Sequence, residues 1–344
     1  MSIVQDRRNY GQILSSAVAT RRRGIENLVA QNNPVWNTLA ERGNIRTFTG
    51  PEIRQTVKIN LNEAQWYKAY DFLKNTPIEL LNDARWTPKQ VVVPISFSGE
   101  ELRANEGSTR VHDIYRVAID SAEESMINAL DLAMHGDGRG DGGKALLGLG
   151  GALPIVTDTG VYAGIDRAAH PIWRTTTFDA ATDFPDVVPA GQVPAVDATT
   201  IRPIYARAIS RRSANGRAAD LLIASEEHFW AYDASLVAHQ RLGREEPGVL
   251  GFNSLEFRGA GNRARVVMAS GIRNNMPANT TYGIESRSLF IYQQANNAFT
   301  TLFDGRGQMP INQDALAQFL LWVGELVLVN PLYSFRLIDS SVEE

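Results

Sequence analysis

The side chains best suited to chemistry crowd one short run, Gly138-Arg-Gly-Asp-Gly-Gly143-Lys144. It nearly fits the pattern G-x-x-x-x-G-K-[ST], in which backbone N–H groups cradle phosphates and the closing hydroxyl holds magnesium. Ala145 stands where that hydroxyl is needed, and the run follows a helical stretch where the chemistry requires a strand. The run also offers Asp137 and Asp141, but a calcium loop would need a third acid and a glutamate where Gly148 sits. Arg139-Gly140-Asp141 spells an adhesion tripeptide, a match short enough to arise by chance. A sugar- or metal-handling enzyme built on Asp137 and Asp141 is the catalytic reading the chain offers, and no convergent acids or histidines support it.

The remaining polar residues are as sparse. His112, His135, His170, His228 and His239 include no pair at the spacing of three to five that metal sites favour. Adjacent acids occur at Glu100 and Glu101, Glu123 and Glu124, Glu226 and Glu227, and Glu245 and Glu246. Helical neighbours point about 100° apart and do not converge on one bond. There is no G-x-S-x-G elbow, and cysteine is absent, which excludes disulfides, thiolate metal sites and a cysteine nucleophile and fits a reducing cytoplasm. No cofactor and no metal are expected. Basic residues cluster at Arg21, Arg22 and Arg23, and at Arg207, Arg211, Arg212 and Arg217. Aromatic residues for base stacking are not interleaved, so a solvated helix face explains these clusters better than phosphate contact. A net charge of −4 gives no general attraction to nucleic acid.

The elements that must position such residues are easier to read. With 344 residues, 44% hydrophobic and 21% charged, the chain can bury a sizeable core, and its length suits two domains. No apolar run reaches the roughly eighteen residues of a membrane span. Arg7, Arg8 and the stretch Ile13 to Ala19 faintly imitate a signal peptide, but two serines and Arg21, Arg22 and Arg23 argue against it. The longest element is a helix expected from Ser108 to His135, with Val111, Tyr115, Ala118, Ala122, Met126, Ala129 and Ala133 on one face and Gly136 as a left-handed stop. A second helical pattern runs from Ile3 to Ala30 and ends at Asn32, Asn33 and Pro34.

From Gly50 to Gly99 the period falls to two. Val57, Ile59 and Leu61 alternate on the way out, and Val91, Val93, Ile95 and Phe97 on the way back, with Pro94 implying an edge or a bulge. Between them lie Trp66, Tyr67, Tyr70, Phe72 and Trp86, more aromatic surface than a two-stranded excursion can bury in itself. Phe178 to Thr200, broken by Pro185, Pro189 and Pro194, reads as a surface insertion. Helical stretches at Thr199 to Ser213 and from Ser225 to about Leu242 flank a buried strand at Asp220 to Ala224, and further strand patterns follow at Leu255, Arg265, Leu289 and Leu316 to Ile338. The class is α+β or mixed α/β.

Several short signatures stand in a shared order: Ser98-Gly99-Glu100-Glu101-Leu102 after the aromatic hairpin, the long helix, Gly164-Ile165-Asp166-Arg167 with Trp173-Arg174, Asp220-Leu-Leu-Ile223, and Gly324-Glu325-Leu326-Val327. From Trp36 to Ile338 the chain thereby resembles the major capsid proteins of tailed bacteriophages, whose coat fold is named after phage Hong Kong 97. The resemblance implies an α+β fold with an N-terminal arm (1–49), an extended hairpin loop (50–97) and a peripheral domain (98–144) around a spine helix (108–135). An axial domain (145–285) with a surface insertion (178–198) would follow, then peripheral-domain strands and a C-terminal return (286–344). It implies a non-enzymatic protein that self-assembles as hexamers and pentamers into an icosahedral shell around double-stranded DNA, bound without sequence specificity. Separate scaffolding, portal and decoration proteins would be its partners, with no membrane involved, and assembly would take place in the bacterial host cytoplasm. Trp66, Tyr67, Tyr70, Phe72 and Trp86 would then contact a neighbouring subunit, and Arg21, Arg22 and Arg23 would face the DNA. Some members join a hairpin lysine to a neighbour's asparagine, and the lysines here are Lys68, Lys74 and Lys89. An encapsulin-like cellular nanocompartment shell is the alternative within the fold.

Overall fold

A computed structural model describes residues 33–62, 64–73, 76–98, 100, 108–237, 254–259, 261–269, 275–302 and 314–342. The helix expected at Ile3 to Ala30, with Arg21, Arg22 and Arg23, lies outside the described residues, as do Lys74 and the stretch from Ala238 to Leu242. In chain order the elements are α1 (Pro34–Glu41), β1 (Ile45–Phe48), β2 (Ile53–Lys58), β3 (Leu81–Trp86), β4 (Lys89–Ser98), α2 (Ser108–His135), β5 (Val161–Tyr162), β6 (Ile165–Asp166) and β7 (Thr176–Asp179). Then follow α3 (Ile201–Arg211), β8 (Leu221–Ala224), α4 (Glu226–Val237), β9 (Ser254–Gly259), β10 (Asn262–Met268), β11 (Thr280–Ile284), β12 (Leu289–Gln294), β13 (Thr300–Thr301), β14 (Ala315–Leu328) and β15 (Phe335–Ile338). The class is α+β. The described residues divide into two units, one within Met1–Thr49, Pro88–Leu147 and Ile291–Glu325, the other within Gly50–Thr87, Gly148–Phe290 and Leu326–Glu344.

The first unit sets α2 against β4, in a sheet ordered β1-β12-β14-β13 with β4 also paired to β14. Helix α2 has the bounds expected from its spacing. Its buried stripe is turned by about one residue from expectation: Ile119, Ala122, Met126, Ile127, Leu130 and Met134 are buried, while Ala118, Ala129 and Ala133 are half-buried. The larger side chains remove more apolar area from water and take the sheet side, leaving the alanines to flank it. The stop also differs. Gly136 donates its N–H to the carbonyls of Leu132 and Ala133, and the left-handed residue is Gly138, at φ 79°. A Cβ on Gly138 would come within 3.0 Å of the Leu147 side chain. In the same unit, Asn33 caps α1 by accepting from Trp36 N at 2.8 Å, with Pro34 opening the helix. The cap's amide also reaches Asp131 of α2 at 2.7 Å. Trp36 is fully buried, edge-on to Phe299 and Trp322.

The hairpin pairing is not the one the alternation predicts. β2 pairs with β3, from Ile53 opposite Trp86 to Lys58 opposite Leu81. The strong pattern at Val91 to Phe97 belongs to β4, which runs antiparallel to β14 from Lys89 opposite Gly324 to Ser98 opposite Ala315. Only Ala84 and Trp86 of β3 are buried, so its polar sequence hides the strand. Pro94 lies opposite Phe319, and β14 is the one partner of β4 among the described residues, the edge position that a proline tolerates.

The second unit is built on a six-stranded sheet, β7-β15-β11-β8-β10-β9. β8 is buried along its whole length, as a central strand covered on both faces must be. Against one face lies α3, whose Ile201, Ile204, Tyr205, Ala208 and Ile209 recur at helical spacing and are all buried. The proline-broken stretch 178–198 corrects the expectation of a surface insertion. Phe178, Phe184, Val188, Ala195 and Val196 are buried in the same core. Prolines exclude regular structure there but not burial, because the backbone groups find local partners: Asp197 accepts from Thr199 N and Thr200 N, and Asp339 from Val196 N. The second arginine cluster is structural. Arg207 pairs with Asp186, Arg217 grips Glu285 at 2.6 and 2.7 Å, Arg211 stacks 4.7 Å over Phe184, and Arg212 donates to the Arg174 carbonyl.

Candidate functional site

The β2–β3 hairpin is a finger whose two ends are built differently. At its root Trp86 is 2% exposed and meets Tyr162 edge-on at 6.1 Å. Tyr162 leans on Trp173, whose Nε1 donates to the Tyr162 carbonyl at 3.0 Å. The Tyr162 hydroxyl accepts from Leu328 N, and the Arg167 guanidinium lies 5.1 Å over the Tyr162 ring. Arg167 is buried, and it donates to the carbonyls of Gly151 and Ala152; burial pulls its pKa below the ordinary guanidinium value. One backbone bond, Arg85 N to Ala163 O at 2.9 Å, ties β3 to the turn between β5 and β6. The root is thus held by rings, a cation over a ring and backbone hydrogen bonds, all within one unit.

Beyond the root the strands part. Ile59 N donates to Leu80 O at 3.0 Å and Asn60 Nδ2 to Glu79 O at 2.8 Å, and past this pinch the described residues form no strand. The tip turns at Lys68 to Asp71, where Asp71 N donates to Lys68 O and the Asp71 carboxylate accepts from Lys68 N at 2.7 Å. Tyr70 takes a left-handed conformation there, at φ 74°, which an aromatic residue seldom adopts. Trp66, Tyr67, Tyr70 and Phe72 are 72 to 104% exposed, with Leu61 and Leu73 both at 61% beside them. Fully burying one such aromatic removes about 150 to 250 Å² from water, worth some 4 to 6 kcal/mol at about 25 cal/mol per Å² before ordering costs. Nothing in the finger itself collects that energy.

The expected site residues therefore separate. Trp66, Tyr67, Tyr70 and Phe72 stand together on the exposed tip, whereas Trp86 is spent inside its own chain and is not free to touch a neighbour. Arg21, Arg22 and Arg23 fall outside the described residues. Lys89 sits in β4 rather than in the finger, with its ammonium on the Gly143 carbonyl at 2.7 Å. The glycine run thus serves as an anchor for Lys89. Asp137 accepts from Arg139 N and pairs with the Arg139 guanidinium at 3.7 Å, while Asp141 occupies a left-handed position in the turn Gly140–Gly143. Among the described residues no three His, Asp or Glu side chains gather as metal ligands would, and no helix is long and apolar enough to cross a membrane. Tyr162, Trp173 and Arg167 were not expected as the finger's anchor. Their signal lay in the signatures Gly164-Ile165-Asp166-Arg167 and Trp173-Arg174, whose function the order of residues does not reveal.

A solved cyanophage A-1(L) capsid asymmetric unit superposes with a TM-score of 0.57 over 87% of this chain and 91% of that one, at 16% identity. The chain has a phage capsid fold. A chain of Mycobacterium phage Bobi is more distant, with a TM-score of 0.49 and 13% identity over 87% and 89% of the two chains. No family model matches, and no curated protein matches the sequence.

Proposed function

We propose that the chain is a major capsid protein that self-assembles into an icosahedral shell around phage double-stranded DNA. The observation that carries this reading is the finger, whose tip presents Trp66, Tyr67, Tyr70 and Phe72 to solvent from a root locked into its own unit. A shell subunit that gives one such contact and receives another turns a moderate pairwise energy into a closed assembly. The capsid fold supports the same conclusion. In this reading the extended loop (50–97), which includes the finger, lies on a neighbouring copy, 98–144 and 286–344 are peripheral and 145–285 axial, in hexamers and pentamers. Arg21, Arg22 and Arg23 face packaged DNA without sequence preference, scaffolding and portal come as separate proteins, and the chain's activity is assembly rather than turnover.

The test is negative-stain microscopy of the purified protein and of the variant Trp66→Ala/Tyr70→Ala/Phe72→Ala. Closed particles from the parent, and none from a variant with unchanged helix content, are expected. A variant that assembles as the parent does would remove the finger, and with it the main physical support for a shell.

A further inference from the structure

The six-stranded sheet has two unlike faces. One sends Phe178, Leu222, Ala224, Phe335 and Leu337 into the apolar core. Because side chains alternate along a strand, Tyr282 and Arg336, opposite one another across β11 and β15, point the other way. Ser334 and Thr175 share that second face, each one residue before the paired positions Phe335 and Thr176. The segment around Pro154 covers it, since Thr177, paired with Arg336, donates its hydroxyl to the Pro154 carbonyl at 2.8 Å.

This covered face holds a charge without a counter-charge. Arg336 is 9% exposed, its guanidinium lies over the Tyr282 ring, 5.4 Å from the centroid, and among the described residues no carboxylate pairs with it. By contrast Arg217, in the same unit, grips Glu285 with two hydrogen bonds. Three hydroxyl groups share the predicament: Tyr282 OH, Ser334 Oγ and Thr175 Oγ1 are buried without a hydrogen-bond partner, as is Arg336 Nε. A guanidinium cannot escape by losing its proton, and burial pushes the Tyr282 phenol up, only partly offset by Arg336, so both remain donors. Native proteins satisfy such groups with water or an ion. Water brings protons of its own and no charge, whereas an oxyanion brings several acceptors and the missing negative charge.

We propose that Arg336, Tyr282, Ser334 and Thr175 form a buried site for one small oxyanion of the phosphate or sulfate class. The site lies within one subunit, and the proposal does not depend on the finger or on shell formation.

Equilibrium dialysis of the purified full chain against radiolabelled inorganic phosphate, at fixed ionic strength, measures it directly. One phosphate per chain is expected, displaced by sulfate but not by an oligothymidylate of equal phosphate content, together with a higher Tm in phosphate than in chloride. Tyr282→Phe should weaken binding at least threefold and Arg336→Met should abolish it. If Arg336→Met does not fold, Thr175→Val/Ser334→Ala takes its place, with the same loss expected. Absence of saturable binding, binding indifferent to Tyr282→Phe, or displacement by the oligonucleotide, which would mark an exposed phosphate patch, each overturns the proposal.

Discussion

Trp86 and Trp66 stand on the same finger and have opposite fates. At the root, Trp86 is enclosed by Tyr162 and its neighbours; at the tip, Trp66 is fully exposed. The difference teaches that an aromatic residue's role follows from whether its own chain offers a surface. Root packing is already collected when a single chain folds, whereas the tip can be stabilised only by something else. Stability and assembly should therefore separate along one hairpin.

The sharpest way to break this comparison is to exchange the expected outcomes. Replacing Trp66 and Phe72 by alanine should abolish closed particles while moving the Tm by no more than about a degree, because neither residue is packed in the isolated chain. Trp86→Ala should instead cost about 3 to 5 kcal/mol in urea denaturation, the range for emptying a buried aromatic site. Equal effects of the two variants on stability would erase the distinction between root and tip.

Acid sharpens the comparison on the side of folding. Among the described residues His135 in the first unit and His228 in the second are buried, and burial lowers both to a pKa of about 4. His228 also bonds Thr281 Oγ1 at 2.8 Å, which in turn meets the Tyr205 hydroxyl. Unfolded histidine titrates near 6.5, so between about 6.5 and 4 the unfolded chain binds more protons. The stability contribution is whole above about 6.5, declines as pH falls to about 4 and is flat below. Denaturant titrations across that window should show the decline, and His228→Gln should shrink it.

The smallest effect belongs to the pinch. Asn60→Ala removes one exposed hydrogen bond to Glu79 O and should cost less than about 1 kcal/mol. Its readout is faster proteolytic nicking between Leu61 and Glu79 in the unassembled chain, with particle yield slightly reduced. Unchanged cleavage would mean that the Ile59–Leu80 backbone bond alone closes the base.

How legible these features were depended on whether local pattern and tertiary use coincided. Helix α2 was readable to its end residues because twenty-eight positions without Gly or Pro carry one apolar stripe. Its rotation was not, since choosing between alanines and the neighbouring Ile, Met and Leu requires the sheet it meets. The strand at Val91 to Phe97 was readable, but its partner was not, because alternation gives a face and not a neighbour. β3 was missed for its polar residues, and the stretch from Phe178 to Ala198 was misplaced because prolines speak about the backbone and not about burial. The tip residues were named in advance, yet composition alone could not tell them from Trp86.

The pinch at Ile59 and Leu80 also fixes a length. Between it and the turn at Lys68 to Asp71 the chain runs out through about ten residues and back through about ten, which at no more than about 3.3 to 3.6 Å each gives a reach bounded near 35 Å. Whatever accepts the tip must lie within that radius of the pinch. The finger is thus a tether of set length, and neighbours spaced beyond it are out of range however well their surfaces match.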